Sequence, residues 1–531
     1  MGIESTAGTD FDLLMVGAGV STLYTILNLI LNLMNRACRA RPLRIGIVEQ
    51  SADGFGGRPY SSRSSYTSLL ITSLRHFLPG VERALFIKWL DENHHWALKP
   101  YQQHLGPMSA GWLRTNREAI DRGAWDDLYL PRYLFGMYMD ARVRQCVALA
   151  ESTATCAFEL IHGEVTDFIR TGESFEITLA GGGVPLRATS VVLALGSPPN
   201  HPRLTLPRLS GDSPAEPVCL VEDAYEPGLT SSLEKIESFL RRTAGPSPEV
   251  LLLGASASTM DLLYTLNDRV TRPGQLVRFN VLAPGGKLPD LWEERAPALA
   301  FSPSTLQALA DRGHATAEEI YHAAVLDIAS GEAAALTASD TLAPISAAVF
   351  ALVASLPRAA KKEFATTWGT AIGRLQRRAG PEYLGVAAQL IQQGRLEVIP
   401  GRFRGIASIT PAGAAVEYES GGRLERLPNR QKVIVNCAGF SKIEHLPEAH
   451  LLRRIVARGL AHSTAAGTGI AVNDRMEASD GLFVLGPLLA GNVISGTPVW
   501  HLEHCGRISA FSAVLAEILG QRLAARTAVS G

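Results

Sequence analysis

Cysteine is scarce in this sequence. Its 531 residues include six: Cys38, Cys146, Cys156, Cys219, Cys437 and Cys505. None stands in a CxxC pair or a zinc-like cluster, so dithiol and metal chemistry find no support. So few thiols in so long a chain fit a reducing compartment, and the cytoplasm is the expected location. An excess of one charge is equally lacking: 50 Lys and Arg face 51 Asp and Glu, for a formal net charge of -1. That removes the electrostatic reason to expect nucleic acid or an anionic membrane as partner. No basic segment followed by apolar residues opens the chain, so no signal peptide is expected. The most apolar early stretch, Leu23 to Met34, contains Asn28 and Asn32 and is too short and polar to span a bilayer; it reads as a buried helix. Heptads and broad apolar stripes are missing too, so nothing defines an oligomer. What is present, 46% hydrophobic and 19% charged residues, suffices for a sizeable core in about two to four domains.

A strand from Phe11 to Val16 runs straight into Gly17-Ala18-Gly19-Val20-Ser21-Thr22 and a long apolar helix reaching about Ala37. A second strand, Leu43 to Val48, ends at Glu49. This is a βαβ unit, which requires a parallel sheet and a right-handed crossover. Gly, Ser, Arg and Tyr crowd the loop at 53–66, residues 80–150 read as helical, and 157–192 read as short strands with a turn at Gly181-Gly182-Gly183. After a proline-rich connection at 197–217, a second strand, turn and helix opens 237 residues beyond the first, as Val250–Leu253, then Gly254-Ala255-Ser256-Ala257-Ser258-Thr259, then a helix to about Asn267. Its next strand is Arg278–Leu282. Residues 301–395 are Ala-rich and mostly helical; strands return at Leu396–Ile399, Ala415–Tyr418, Lys432–Asn436 and Leu482–Leu485, before a last amphipathic helix from Gly506 to Leu523. Two such openings predict an α/β chain with two Rossmann-like dinucleotide-binding domains and a helical insertion.

The chemistry of the first opening follows from its residue types. Gly17 permits the tight turn, Gly19 lets the backbone approach a pyrophosphate, and the following helix offers its positive end to the phosphates. Thr22 replaces the third glycine and weakens close packing of helix on strand. Glu49 stands where a carboxylate accepts hydrogen bonds from ribose hydroxyls, 32 residues after Gly17, against about 20 in the usual spacing. The bland alternative is a doubly wound domain with no ligand. In the second opening Ser256 replaces the glycine of closest approach, and no carboxylate ends the following strand. Lys287 and Arg278 lie near that end and would meet a 2′-phosphate, favouring NADPH. The alternative is a domain that keeps the shape but has lost the nicotinamide cofactor.

With these motifs in place, the chain resembles the FAD-NAD(P)-binding flavoproteins distantly related to the lysine and ornithine N-monooxygenases. The likeness runs nearly end to end. It rests on Gly17-Ala18-Gly19 with Glu49, on the Gly-rich Gly54-Phe55-Gly56-Gly57-Arg58-Pro59-Tyr60, and on Leu130-Pro131-Arg132-Tyr133-Leu134-Phe135-Gly136-Met137-Tyr138, similar to a Pro-Arg-x-x-x-Gly-x-Tyr motif. Ala194-Leu195-Gly196 and Asn436-Cys437-Ala438-Gly439 match two interdomain turns, and Leu485-Gly486-Pro487-Leu488 matches a late Leu-Gly-Pro segment beside the flavin. The departures are Ser256, Pro284-Gly285-Gly286-Lys287 in place of a Ser-Arg-Arg-Gly-like segment, and a carboxylate missing after Gly491. The resemblance implies an FAD domain over 1–200 with its helical insertion at about 80–150, an NAD(P)-binding-like domain over 201–400 with its Ala-rich segment, and a return to the FAD domain over 401–531. It assigns Gly17, Gly19, Ser21, Glu49, Gly57, Arg58, Tyr60, Arg132, Val165, Gly196, Gly486 and Pro487 to FAD, and Gly254, Ser256, Ser258 and Lys287 to NADPH.

His501 and His504, in Trp500-His501-Leu502-Glu503-His504-Cys505 just after the Leu-Gly-Pro segment, are the candidate catalytic side chains. Their spacing would put both on one helical face, but a third metal ligand is missing; the bland reading is a satisfied helix N-terminus. His94 and His95 read as a solvated helix end, and Cys437 and Cys505 as small buried hydrophobes. Arg374, Arg377 and Arg378 form a basic run that reads as a solvated helix face, with a clamp for an anionic substrate or cofactor phosphate as the sharper alternative. Three functions stay open: an NADPH-using flavin monooxygenase taking oxygen and a small-molecule amine or other nucleophile; an FAD oxidase or dehydrogenase that draws electrons directly from its substrate; and a non-catalytic flavin-binding or scaffold protein.

Overall fold

The computed structural model describes residues 10–35, 41–51, 55–205, 217–243, 245, 247–269, 276–292, 301–375 and 377–529; Cys38 and Gly54 lie outside these. Strand Leu13–Val16 is buried at every position. A strand covered on both faces reads as an apolar run rather than an alternation, which is the signature of a parallel sheet. It lies inside a six-stranded sheet of order Glu477–Ser479, Leu482–Val484, Val191–Leu193, Leu13–Val16, Leu43–Glu49, Cys156–His162. All pairings are parallel except that of the Glu477–Ser479 edge. The expected strand from Phe11 is broken: Asp10–Phe11 pairs instead with Leu186–Ala188 in a separate four-stranded sheet.

The second sheet has five parallel strands in the order Leu396–Pro400, Arg278–Ala283, Glu249–Leu253, Val433–Asn436, Cys219–Val221. The two sheets share a plan. Each opening strand has its βαβ partner on one side and, on the other, a strand reached by a long excursion of the chain. Strand order therefore reverses between Leu13–Val16 and Val191–Leu193, and between Glu249–Leu253 and Val433–Asn436. Ligands of open α/β sheets settle outside the carboxyl ends of the strands at such points. Because Val433–Asn436 belongs to the second sheet, the chain returns to the first sheet only after residue 436, not at 401. The antiparallel strands Arg402–Thr410, Gly413–Ser420 and Arg423–Arg426 also belong to the second domain, since Ile406, Val416 and Tyr418 pack with Leu251, Leu253, Leu282 and Ile434.

The Ala-rich region divides in two. Helices between Ser304 and Leu375 close around their own core of Leu306, Ile320, Ile345, Val349, Val353 and Phe364, against which Trp500 packs. Helix Pro381–Gln392 instead buries Tyr383, Val386, Ala387 and Leu390 in the main core and feeds strand Leu396–Pro400. Ala338–Ser355 and Cys505–Ala525 are long and apolar enough to cross a membrane by length and composition. In this fold each turns apolar residues inward, Ile345 and Val349 in one, Leu515 and Leu519 in the other.

Candidate functional site

Two glycines of the first opening do different work. Gly17 has φ +99°, and a Cβ there would lie 2.5 Å from the Ala194 carbonyl oxygen. Only glycine lets the loop cross the end of strand Val191–Leu193 this closely. Gly19 is extended (φ -78°), and a Cβ on it would meet nothing within 4 Å. Neither backbone nor packing demands glycine here; its effect is an opening in front of helix Val20–Met34. That helix has no side-chain cap and no acid in its first turn, so its positive end is uncompensated, as a phosphate site requires. The fit to a pyrophosphate is therefore good. Thr22 is not a defect: its hydroxyl donates to the Gly17 carbonyl at 2.5 Å, tying helix to turn.

Glu49 is buried at the end of its strand, accepting the Ala18 amide (2.9 Å) and the Ser51 amide (3.0 Å), with Arg63 at 3.5 Å. A carboxylate has about four lone-pair sites, so capacity remains for further donors. Val165 opens a strand beside it, since the Gly163 amide donates to the Glu49 carbonyl. Gly196 follows Ala194 at φ +77°. Gly486 comes from the far end of the chain, and a Cβ on it would sit 2.7 Å from Ser21 Oγ; Pro487 follows in the short helix Gly486–Leu489. Gly17, Gly19, Ser21, Glu49, Gly196, Gly486 and Pro487 thus gather at the carboxyl end of the first sheet.

The Gly-rich turn covers this opening. The Gly56 amide donates to the Ala18 carbonyl (3.1 Å), and a Cβ on Gly57 would lie 3.1 Å from Gly19 Cα. Helix Gly57–Tyr60 is held from above by Gly136, where a Cβ would lie 1.9 Å from the Tyr60 carbonyl oxygen. The two separate sequence motifs therefore meet in one contact. Two of their side chains point elsewhere than the resemblance implied. Arg58 pairs with Glu226 at 2.5 Å. The Arg132 guanidinium, expected at the flavin, is bound to Asp261 at 2.7 Å, both nearly buried. Tyr225 donates to the same carboxylate at 2.7 Å, and the Tyr383 hydroxyl lies 3.2 Å from its other oxygen. Burial alone would lower the Arg132 guanidinium, but Asp261 more than reverses this, so the guanidinium stays charged. The Tyr60 hydroxyl meets Cys505 Sγ at 3.2 Å, and burial pushes that thiol up to about 12, an inert group. Cys437 is pushed up likewise, to about 12.

The second opening repeats the first. Gly254 has φ +97° with a Cβ position 3.0 Å from the Cys437 carbonyl oxygen, and Thr259 donates back to the Gly254 carbonyl at 2.6 Å. Helix Ala257–Asp268 likewise lacks a side-chain cap and an acid in its first turn, with Ser258 in that turn. Ser256 is extended (φ -114°) and unstrained; its Oγ lies 3.5 Å from the Cys437 carbonyl, so the side chain occupies space that Gly19 leaves open. The cations expected at the end of the next strand are placed differently. Arg278 begins that strand, at the opposite end of the sheet, and donates to the Gly394 carbonyl. Lys287 is in the right loop, but its ammonium pairs with Glu332 at 3.1 Å. Arg377 and Arg378 are not a helix face: the helix ends at Leu375, and Arg378–Ala379 is a strand paired with Asp290–Leu291.

His501 and His504 do not share a helical face, because the final helix starts at Cys505. Both are exposed in the preceding loop. His501 Nε2 lies 3.0 Å from Glu503, whose other oxygen accepts from Ser197 at 2.8 Å, next to Gly196. Burial raises the Glu503 carboxyl, but the bonds from His501 and Ser197 outweigh it and hold it below the usual range. His504 accepts the Gly506 amide through Nδ1 and turns Nε2 to the His76 carbonyl, so it caps the helix. No cluster of three metal-ligating side chains occurs among the described residues. His94 and His95 lie in the last turn of helix Gly80–Ala97 as expected, His94 bonded to the Leu90 carbonyl. Sequence reading missed Asp261, Tyr225 and Tyr383; an acid among the apolar residues early in a fingerprint helix was the signal available.

Residues 14–198 match the FAD-NAD(P)-binding family. Uncharacterized proteins of Mycobacterium tuberculosis and Mycobacterium bovis are 28% identical over 523 residues, covering 96% of this chain and 95% of theirs. The fold is similar to that of the FAD-bound cadaverine monooxygenase of desferrioxamine biosynthesis from Erwinia amylovora, with TM-score 0.54, 11% identity, and 96% and 95% of the two chains covered. It is also similar to the ornithine N-hydroxylase of Kutzneria sp. 744 with reduced FAD, NADP+ and L-ornithine (TM-score 0.53, 14% identity, 97% and 99% covered). A third similar structure is the L-lysine 6-monooxygenase of Pseudomonas syringae (TM-score 0.52, 14% identity, 97% and 99% covered). At these identities the likeness is one of fold: two Rossmann-like domains, the first of them carrying the match to the FAD-NAD(P)-binding family.

Proposed function

We propose that this chain is an NADPH-using flavin monooxygenase acting on a small-molecule amine or other nucleophile. The observation that carries the reading is the pair of uncapped helix N-termini, each at the switch point of its own sheet, in one chain. Bound FAD would supply redox and oxygen chemistry that no side chain here provides. The protein's part is to bind and orient. Gly19 and Ser21 would present backbone amides to the pyrophosphate, while the Gly17 amide is spent on the Val48 carbonyl (2.8 Å) and holds the turn; Glu49 would take ribose hydroxyls, and the Gly57–Tyr60 turn closes over Gly19. Gly196, Gly486 and Pro487 line the same end of the sheet. His501, held by Glu503 and through it by Ser197, is the group placed to accept a proton from substrate; His504 is a cap. The fold of the amine monooxygenases above supports the substrate class.

Ser256 favours a second reading, an oxidase that draws electrons from its substrate, because its side chain narrows the approach to the second helix. Anaerobic addition of NADPH to FAD-loaded protein separates the two. Loss of the flavin band is expected, followed by oxygen uptake that depends on an added amine. A band that persists with NADPH and bleaches with a reduced substrate establishes the oxidase.

A further inference from the structure

The loop that follows the second strand of a dinucleotide-binding βαβ unit is where a 2′-phosphate meets its arginine. In this chain that loop, 284–289, offers a single cation, Lys287, and Glu332 neutralises it. Two arginines reach the same place from about ninety residues further on. The Asp290 amide donates to the Arg377 carbonyl and the Trp292 amide to the Ala379 carbonyl, both at 2.9 Å. This short parallel pair clamps Arg377 and Arg378 beside the strand's exit loop. The Arg377 guanidinium donates to the Ala255 carbonyl at 3.2 Å, so it lies against the second fingerprint itself. The Arg378 guanidinium stacks on Trp292 with 4.0 Å to the ring centroid. Its Nε and Nη1 are buried and make no hydrogen bond. Neither arginine pairs with a carboxylate among the described residues. Burial pushes Arg378 down to about 10, against a partial offset from Asp290. A desolvated, unpaired guanidinium held rigidly by an indole is a site short of its anion.

We propose that Arg377 and Arg378 are the 2′-phosphate clamp of the second dinucleotide site and select NADPH over NADH. The inference rests on the proposed use of a nicotinamide cofactor and adds the residues that choose it. Trp292 fixes the Arg378 guanidinium, and the bond to the Ala255 carbonyl fixes that of Arg377 against the fingerprint loop, so two held cations stand beside the strand's exit loop. Lys287 is released from the role the sequence suggested for it, since its charge is already matched.

The test uses FAD-loaded protein and calorimetric titration with 2′,5′-ADP and with 5′-AMP, which differ in the 2′-phosphate alone. Wild type should prefer 2′,5′-ADP. Arg377→Ala and Arg378→Ala should each weaken 2′,5′-ADP about tenfold or more while changing 5′-AMP by less than about threefold. Arg378→Lys, which keeps the charge without the planar fork, should recover part of the loss. Flavin content and melting temperature show that the variants remain folded. Unchanged 2′,5′-ADP affinity in folded variants, or an equal loss for both nucleotides, overturns the clamp. If wild type is reduced by NADPH while the variants keep its preference over NADH, the clamp fails and the monooxygenase reading stands. If wild type binds neither nucleotide, both fail together.

Discussion

At the scale of single residues, the two glycines of the first fingerprint separate structure from binding. Gly17 is required by its positive φ and by the Ala194 carbonyl oxygen 2.5 Å from its Cβ position. Gly19 has neither constraint. Gly19→Ala should therefore leave the melting temperature of the apoprotein within about 2 °C, because the methyl enters open space. It should still weaken FAD binding about tenfold or more, because that space faces the helix N-terminus. Flavin retained per chain and differential scanning fluorimetry read the two effects separately; a stability loss that accompanies the binding loss would show Gly19 to be structural. Glu382 is a second residue with a decidable role. It lies in the first turn of helix Pro381–Gln392, its Oε2 is buried without a partner, and burial pushes its carboxyl up to about 7. An acid whose folded pKa is raised destabilises the fold when ionised. Its contribution is fully present below the ordinary value of 4.5 and is lost as pH rises through about 7. Glu382→Gln should match wild type in urea denaturation near pH 4.5 and exceed it at pH 8 by up to about 3 kcal/mol. Equal stabilities at both pH values would remove the effect.

At the scale of elements, the Gly-rich turn is positioned by a close approach between two helices. Gly136 lets helix Tyr133–Ser152 touch the Tyr60 carbonyl, and the Gly57–Tyr60 turn in turn rests on Gly19. A methyl at 136 has no room, so Gly136→Ala must push the turn away, at about 1–3 kcal/mol or more. The expected result is native far-UV circular dichroism with bound flavin lost. Gly111→Ala is the control: it lies in helix Pro107–Asp121, its Cβ would meet nothing within 4 Å, and it should be neutral or slightly stabilising. The sequence showed both motifs but not their contact, because 76 residues separate Tyr60 from Gly136 and periodicity carries no information across that distance. The same limit explains the final loop. His501 and His504 have helical spacing, yet the helix begins after them, where His504 accepts the Gly506 amide.

At the scale of the molecule, the two sheets are joined through the buried Arg132–Asp261 pair. Asp261 sits on the second fingerprint helix, and Arg132 precedes the helix that holds the Gly-rich turn. Tyr225 and Tyr383 complete the carboxylate's coordination from two further elements. Removing one partner leaves the other charged and desolvated, a loss of about 3–5 kcal/mol. Arg132→Met should split a single calorimetric unfolding transition into two, as the domains lose their lock; a single transition at unchanged temperature would show that the pair does not couple them. The helices between Ser304 and Leu375 have a core of their own and dock through Trp500 and through Arg358 on Asp474. They carry the segment that brings Arg377 and Arg378 to the second fingerprint.

The sequence by itself determined what is encoded locally. Two strand-to-glycine-to-helix openings, the acid at Glu49, the helical stretches and the strands that return near the end are each set by dihedral preference and hydrophobic period over a few turns, and most fall within a few residues of where they were read. Tertiary structure alone decided which charges meet. Arg132 could be placed near a flavin by motif, but its partner Asp261 is 129 residues away. Lys287 stood in the right loop, yet Glu332 takes its charge, and Arg377 and Arg378 arrive instead. The domain boundary moved from 401 to beyond 436 for the same reason: strand Val433–Asn436 is apolar enough for either sheet, and only pairing with Glu249–Leu253 assigns it. Backbone conformation is a short-range property; charge neutralisation and strand pairing depend on which distant neighbours the packed chain brings within reach.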